Sequence, residues 1–158
     1  MRGAVCMNDL FLVVVASASP ISELRGGIPL GIGLGLEPAL TYIVAVVTNI
    51  LVFFPARFIL NVFYHSVLHK LPLFDRYLLR VRERGKPRVD KYGLLGLILF
   101  VAVPLPITGA YTGTVLSWLL AMHWKRAFVG VAAGVVIAGI IVMFITMGVV
   151  SGVRLLGA

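Results

Sequence analysis

Apolar runs and helix breakers alternate along this chain in two similar halves. The first run starts at Asp9 and reaches about Ala18, where Pro20 follows; a second run extends from Ile28 to Leu36. At about 1.5 Å per helical residue each covers roughly half of a ~30 Å hydrocarbon core. The pair therefore reads as a helical hairpin that enters and leaves the membrane on one side. Glu37-Pro38 has the form of a helix start, with acid and proline at the first turn. From Ala39 the chain is apolar to Phe54, with a helical pattern to Leu68. Ala39 to Arg57 is long enough to span a bilayer, and Pro55 is expected to kink it. Arg57, His65, His69 and Lys70 then fall at the far interface. The second half repeats the arrangement. Gly93 to Val103 is too short to cross, breaks at Pro104-Leu105-Pro106, and resumes as Ala110 to Met122; Ala127 to Val150 forms a spanning helix.

These spacings predict an all-α integral membrane protein with one domain over residues 1–158. Repeat 1 covers 8–69, a loop 70–91, and repeat 2 92–151. Superimposing Pro20 on Pro104 puts Ser22 on Pro106 and Tyr42 on Arg126, so the repeat lies in hydropathy and breaks rather than in side chains. One crossing per half inverts the second hairpin relative to the first. Two interrupted segments in corresponding positions are a sequence pointer to a transporter binding site.

Residues 1–19 also fit a secretory signal, with Arg2, the Leu10–Val15 apolar core and Ala16-Ser17-Ala18 at the cleavage position. Asn8 and Asp9 interrupt that pattern, and the hairpin arm is the preferred reading.

Composition fixes the class. The chain is 60% hydrophobic and 13% charged, against about 25% charged in soluble domains, and its mean hydropathy is +1.05. Its net charge is +8, and most of it is gathered in the loop, where Lys70, Arg76, Arg80, Arg82, Arg84, Lys86, Arg88 and Lys91 face Asp75, Glu83 and Asp90. That distribution points to cytoplasmic orientation and anionic lipid rather than nucleic acid. Phe74, Tyr77, Leu78 and Val81 recur at helical spacing and predict an amphipathic helix on the membrane surface. The basic, aromatic run His123 to Arg126 returns to the same side if 93–122 is a hairpin. Both termini then lie outside, although the flipped topology also fits. The localisation expected is the cell membrane, multi-pass.

The candidate chemistry sits in the breaks. Ser17 to Gly35 holds a carboxylate, a guanidinium, two prolines and five glycines inside an apolar context. A charge at bilayer depth is costly and is a functional hypothesis by default. Glu23 is read either as a proton-binding carboxylate of a transport cycle or as a structural residue, in an ion pair with Arg25 or capping the second half-helix. Arg25, Gly26, Gly27 and Pro29 open the expected half-helix at Ile28, where free N–H groups and a guanidinium favour a phosphate or anionic headgroup. Gly31, Gly33 and Gly35 read as close helix packing, as do Gly130 and Gly134. In the second break, opened by Pro104 and Pro106, Thr108, Tyr111, Thr112 and Thr114 either line a polar pocket facing Glu23 and Arg25 or use their hydroxyls to satisfy backbone freed by the prolines. His65 and His69 lack a third ligand, so no metal site is expected, and no cofactor motif occurs. Cys6 is the sole cysteine, which rules out an intrachain disulfide. No Ser-His-Asp arrangement, zinc motif or P-loop is present, and no enzyme activity is expected.

The segments SELRGGIPLGIGLG and FVAVPLPITGAYTGTVLSWLLAM resemble the small multi-drug export proteins of archaea and bacteria, distant relatives of the DedA/VTT superfamily. The resemblance covers nearly the whole chain. It implies two re-entrant hairpins followed by membrane helices, and the family name implies drug export. The DedA relationship implies movement of polyprenyl-phosphate carriers or other lipids, dependent on a proton gradient, with Glu23 in the place of the first-hairpin acid. DedA proteins carry arginines flanking the second-hairpin proline; here Val101, Val103, Ile107 and Gly109 stand there, and Arg25 is expected to replace part of that charge. Three functions follow: a lipid-phosphate or anionic-amphiphile transporter, a cationic-drug exporter, and a non-transporting scaffold whose basic loop docks partners or lipid. The Arg25 beside Glu23 argues against a cationic substrate. Expected partners are membrane lipids, an anionic substrate, protons and a second copy of the chain in a homodimer.

Overall fold

The computed structural model describes residues 7–66, 93–103 and 109–156. The basic loop 70–91 with its amphipathic face, His69, the His65 side chain, and Pro104, Pro106 and Thr108 lie outside the described residues. Every regular element among the described residues is an α-helix: α1 (Met7–Ala18), α2 (Glu23–Gly33), α3 (Pro38–Leu51), α4 (Phe53–Ser66), α5 (Gly93–Ala102), α6 (Ala110–Leu119) and α7 (Trp124–Leu156).

Among the described residues two apolar stretches are long enough to cross a membrane. Pro38–Val62 has 25 residues and a mean hydropathy of 2.2; Trp124–Gly152 has 29 residues and 2.8. The first carries one local interruption, at Val52 between α3 and α4. Pro55 causes it: a proline ring excludes the carbonyl four residues back, which is that of Leu51, the last residue of α3. Regular bonding resumes when Ala56 N–H donates to Val52 O at 3.1 Å, an ordinary backbone distance. By contrast α1, α2 and α6, with 12, 11 and 10 residues, are each only about 15–18 Å long.

Helix boundaries differ most from the sequence expectation at two helices. The helix after the first break begins at Glu23, not Ile28, so Gly26, Gly27 and Pro29 all lie within α2. Gly26 N–H donates to Ser22 O at 3.0 Å, which starts the helix ahead of the glycines. The last helix begins at Trp124, not Ala127, and continues past Val150 to Leu156. Ala127 N–H donates to His123 O, so the polar Lys125 and Arg126 form the first turn. Hydropathy reports where lipid is, whereas backbone bonding decides where a helix starts.

The chain divides into two compact units. The first unit comprises Met1–Ile50 and Val135–Ala158. Within it α1 and α2 pack antiparallel: a side chain at Gly27 would meet Ser17, and one at Gly31 would meet Val13 and Thr41. Val13, Leu24, Ile28, Ala45, Val46, Val135 and Ala138 form its core. Tyr42 OH donates to Val136 O at 3.1 Å, and Gly139 lets α7 approach Tyr42 and Val46. The outside is also apolar, with Phe11 65% and Phe144 73% exposed. An apolar exterior around an apolar core is the pattern of a helix bundle solvated by lipid.

The second unit is Leu51–Gly134. Phe53, Leu97, Val101, Ala110, Trp118, Ala127 and Val131 are buried there. Phe53 and Phe54 each stack near Phe128, at 5.5 and 5.3 Å between ring centroids. Gly130 and Gly134 face Leu97 and Val101 of α5, so this pair serves close helix packing, as its spacing predicts.

The two short helices α2 and α6 end alike. Leu36 N–H bonds Gly31 O with Gly35 at φ +80°, and Met122 N–H bonds Ser117 O with Ala121 at φ +52°. Both are Schellman-type ends that need a left-handed residue. Glycine fills the role at 35; alanine is strained at 121. Ala121→Gly is expected to stabilise the protein by about 1 kcal/mol, read as a rise in Tm.

Candidate functional site in the first broken helix pair

The turn joining α1 to α2 is short and strongly tied to the end of α1. Ser19 N–H donates to Val15 O at 3.0 Å, Glu23 N–H donates to Ser19 O at 3.0 Å, and the Ser22 hydroxyl donates to Ala16 O. This bonding leaves Glu23 with φ +50°, a left-handed conformation that a residue with a side chain adopts at a cost of about 1–3 kcal/mol. Its side chain is only 8% exposed. The Arg25 guanidinium, half-buried, lies within electrostatic reach of that carboxylate. A carboxylate thus sits buried and strained at the junction of two helices too short to cross a membrane.

The other predicted residues of this break have definite places. Gly26 gives its N–H to Ser22 O, so it is not a free amide donor toward an anion. Gly27 is buried against Ser17 and the Val13 carbonyl. Pro29 is exposed. Glu23, Gly27 and Gly31 recur every fourth residue and share one face of α2, the face that meets α1 and α3.

Sequence reasoning passed over three polar residues here. Ser17, Thr41 and Asn49 are all fully buried. Asn49 Nδ2 donates to Ser17 O at 2.9 Å, tying α3 to the last turn of α1. Their signal was present as polar positions inside apolar runs, but nothing in the spacing joins position 17 to position 49.

In the second unit Tyr111 and Thr112 are half-buried and Thr114 is fully buried. Thr112 Oγ1 accepts from Gly109 N–H at 2.9 Å, and Thr114 Oγ1 donates to Ala110 O at 2.6 Å. These hydroxyls serve the backbone at the start of α6. Two further polar links stand out. Trp118 Nε1 donates to Asn61 Oδ1 at 2.8 Å, and Arg57 Nη2 donates to Met122 O at 3.2 Å. Both join α4 to the end of α6. Arg57, expected at the far interface, therefore anchors a helix end, with its guanidinium 5.9 Å from the Phe53 ring. Among the described residues no group of three His, Cys, Asp or Glu side chains could hold a metal ion.

A profile of the family described as "Putative small multi-drug export protein" matches residues 23–141. The chain belongs to that family. The stretch shared with the small multi-drug export family opens at Glu23 and runs through α2, α3, α4, α5 and α6 into α7. It includes Glu23, Arg25, Asn49, Arg57 and Asn61. Family membership and the two long apolar helices make this a membrane protein. No curated protein and no solved structure matches the chain.

Proposed function

We propose that the protein is a small, proton-linked membrane transporter, in which Glu23 binds and releases protons and the substrate is a lipid phosphate or another anionic amphiphile. The observation that carries the reading is the burial of Glu23 at the junction of α1 and α2. A carboxylate kept at such a place needs a compensating cation or a proton. Arg25 supplies the first in one state, and protonation supplies the second in the other. When a negative headgroup occupies Arg25, Glu23 loses its partner and its neutral form gains. Substrate binding and proton binding are then coupled through one guanidinium.

On this reading α1–α2 and α5–α6 are re-entrant hairpins of two inverted repeats, distantly related to the DedA/VTT proteins. The make-up of the units supports it: each contains one broken helix pair and part of each long apolar helix. The basic loop 70–91 faces the cytoplasm and both termini face outward. The protein works as a homodimer with membrane lipids around it, takes no cofactor and catalyses no covalent step. In the second hairpin Pro104, Pro106, Thr108, Tyr111 and Thr112 are the residues proposed to meet substrate.

Proteoliposomes with a polyprenyl phosphate in one leaflet test the proposal. Imposing a pH gradient is expected to accelerate movement to the other leaflet at least about tenfold over protein-free vesicles, a difference of about 1.4 kcal/mol in barrier. Equal rates with and without protein, from a folded preparation, would sink the lipid-phosphate assignment. The family's name favours a second reading, export of lipophilic cations. Gradient-driven uptake of a tetraphenylphosphonium-type cation in the same vesicles, with no lipid movement, would select it.

A further inference from the structure

Three oxygen atoms in the first unit are buried with no hydrogen-bond partner among the described residues: Ser17 Oγ, Thr41 Oγ1 and Asn49 Oδ1. Leaving such an atom unmatched costs about 1–3 kcal/mol, and native proteins keep few of them. Thr41 stands apart, packed against Gly31 and two helical turns from Asn49 along α3. The other two are neighbours. Asn49 Nδ2 is committed to Ser17 O at 2.9 Å, so the amide oxygen and the Ser17 hydroxyl are left over beside the same turn of α1.

The surroundings are suited to a cation. Ser17 lies in the last turn of α1, where helix carbonyls and the negative end of the dipole gather. Gly27, which abuts Ser17 Oγ, is one turn from Glu23 on the same face of α2. The hydroxyl and the amide oxygen thus lie beside the carbonyl end of a half-helix, and the buried Glu23 is one turn along α2 from the glycine that Ser17 Oγ abuts. All are hard oxygen donors, which select hard cations over transition metals. One carboxylate balances one positive charge, which favours a monovalent ion over Ca²⁺ or Mg²⁺. Broken-helix carbonyl ends hold Na⁺ by this logic in membrane transport proteins generally.

We propose that Ser17 Oγ and Asn49 Oδ1 are ligands of a Na⁺ site between α1 and α3, with Glu23 as its counter-charge. The ion and Arg25 compete for the same carboxylate, so occupancy shifts Glu23 away from Arg25. The inference goes beyond the transport reading and does not need its substrate.

The test is thermal unfolding of the detergent-solubilised full chain in NaCl, KCl and choline chloride at equal ionic strength. Na⁺ at about ten times its Kd is expected to raise Tm by about 3–5 °C over choline, saturably. Ser17→Ala and Asn49→Ala are each expected to remove the increment, and Thr41→Val to retain it. Equal Tm values for the wild type in the three salts would overturn the site and leave the oxygens to buried water. An increment that survives Ser17→Ala, the mildest of the changes, would overturn its location. If Asn49→Ala does not fold, the wild type and Ser17→Ala still decide both points. Because the readout is ion binding, its failure leaves the lipid-transport proposal standing, and failure of lipid transport leaves the ion site standing.

Discussion

Glu23→Gln is expected to reduce gradient-driven transport by about 100-fold or more, the scale of losing a proton-transfer group, while the protein still inserts and folds. The side chains have nearly the same volume, and Gln can occupy the same left-handed backbone at φ +50°. What disappears is the titratable proton and the charge facing Arg25. The competing account makes Glu23 a structural partner of Arg25, whose half-buried guanidinium would then be left uncompensated. Breaking a buried pair from one side costs about 3–5 kcal/mol, so that account expects loss of folded protein. Size-exclusion profile and Tm of Glu23→Gln, read beside the transport rate, separate the two. Glu23→Gly sharpens the contrast. Glycine relieves the backbone strain, worth about 1 kcal/mol or more, so a stable but inactive Glu23→Gly protein would mean that the strain is retained for the carboxylate. A protein active without the carboxylate would end the proton-carrier proposal.

Gly27→Ala is expected to lower the yield of folded protein more than any other single methyl added to α2. The new Cβ would collide with Ser17 Oγ and come within 3.3 Å of the Val13 carbonyl. Ser17 is fully buried, so it has nowhere to move, and α1 must separate from α2. Overpacking of this kind costs about 1–3 kcal/mol, measured as a drop in Tm. Ser17→Gly placed in the same chain removes the main obstacle and is expected to recover most of the loss. Gly33→Ala is the control, because a Cβ there meets nothing within 4 Å. If Gly27→Ala melts with the wild type, the close approach of α1 and α2 is not a packing constraint. The GIGLG run thus contains glycines of different kinds: Gly31 is pressed on Thr41 and Val13, Gly33 is open, and Gly35 sets a helix end at φ +80°.

Much of the architecture was legible because lipid imposes a simple rule on sequence. Runs of about 20 apolar residues must be helices that cross, and shorter ones bounded by proline must do something else. The stretches Pro38–Val62 and Trp124–Gly152, the short helices on either side of Pro20, and the kink caused by Pro55 all follow from this. The start of α2 was misjudged by five residues because Gly26-Gly27 and Pro29 look like breakers, yet Ser22 O and Ser19 O capture the N–H groups of Gly26 and Glu23. Local propensity lost to a set of hydrogen bonds between residues whose meeting depends on the turn.

The sequence by itself determined that this is a helical membrane protein of the small multi-drug export family, with Glu23 and Arg25 set in its first break. Lipid forces the helical membrane class and makes the two charges conspicuous, since a charge in an apolar run has no inexpensive alternative explanation; the family follows from the resemblance of the two broken segments. Only the tertiary structure decided which neutral polar groups belong with them. Ser17 and Asn49 are 32 positions apart, and Arg57 reaches Met122 across 65. Such pairings depend on how helices pack, and apolar periodicity carries no information about which buried oxygen will be left without a partner.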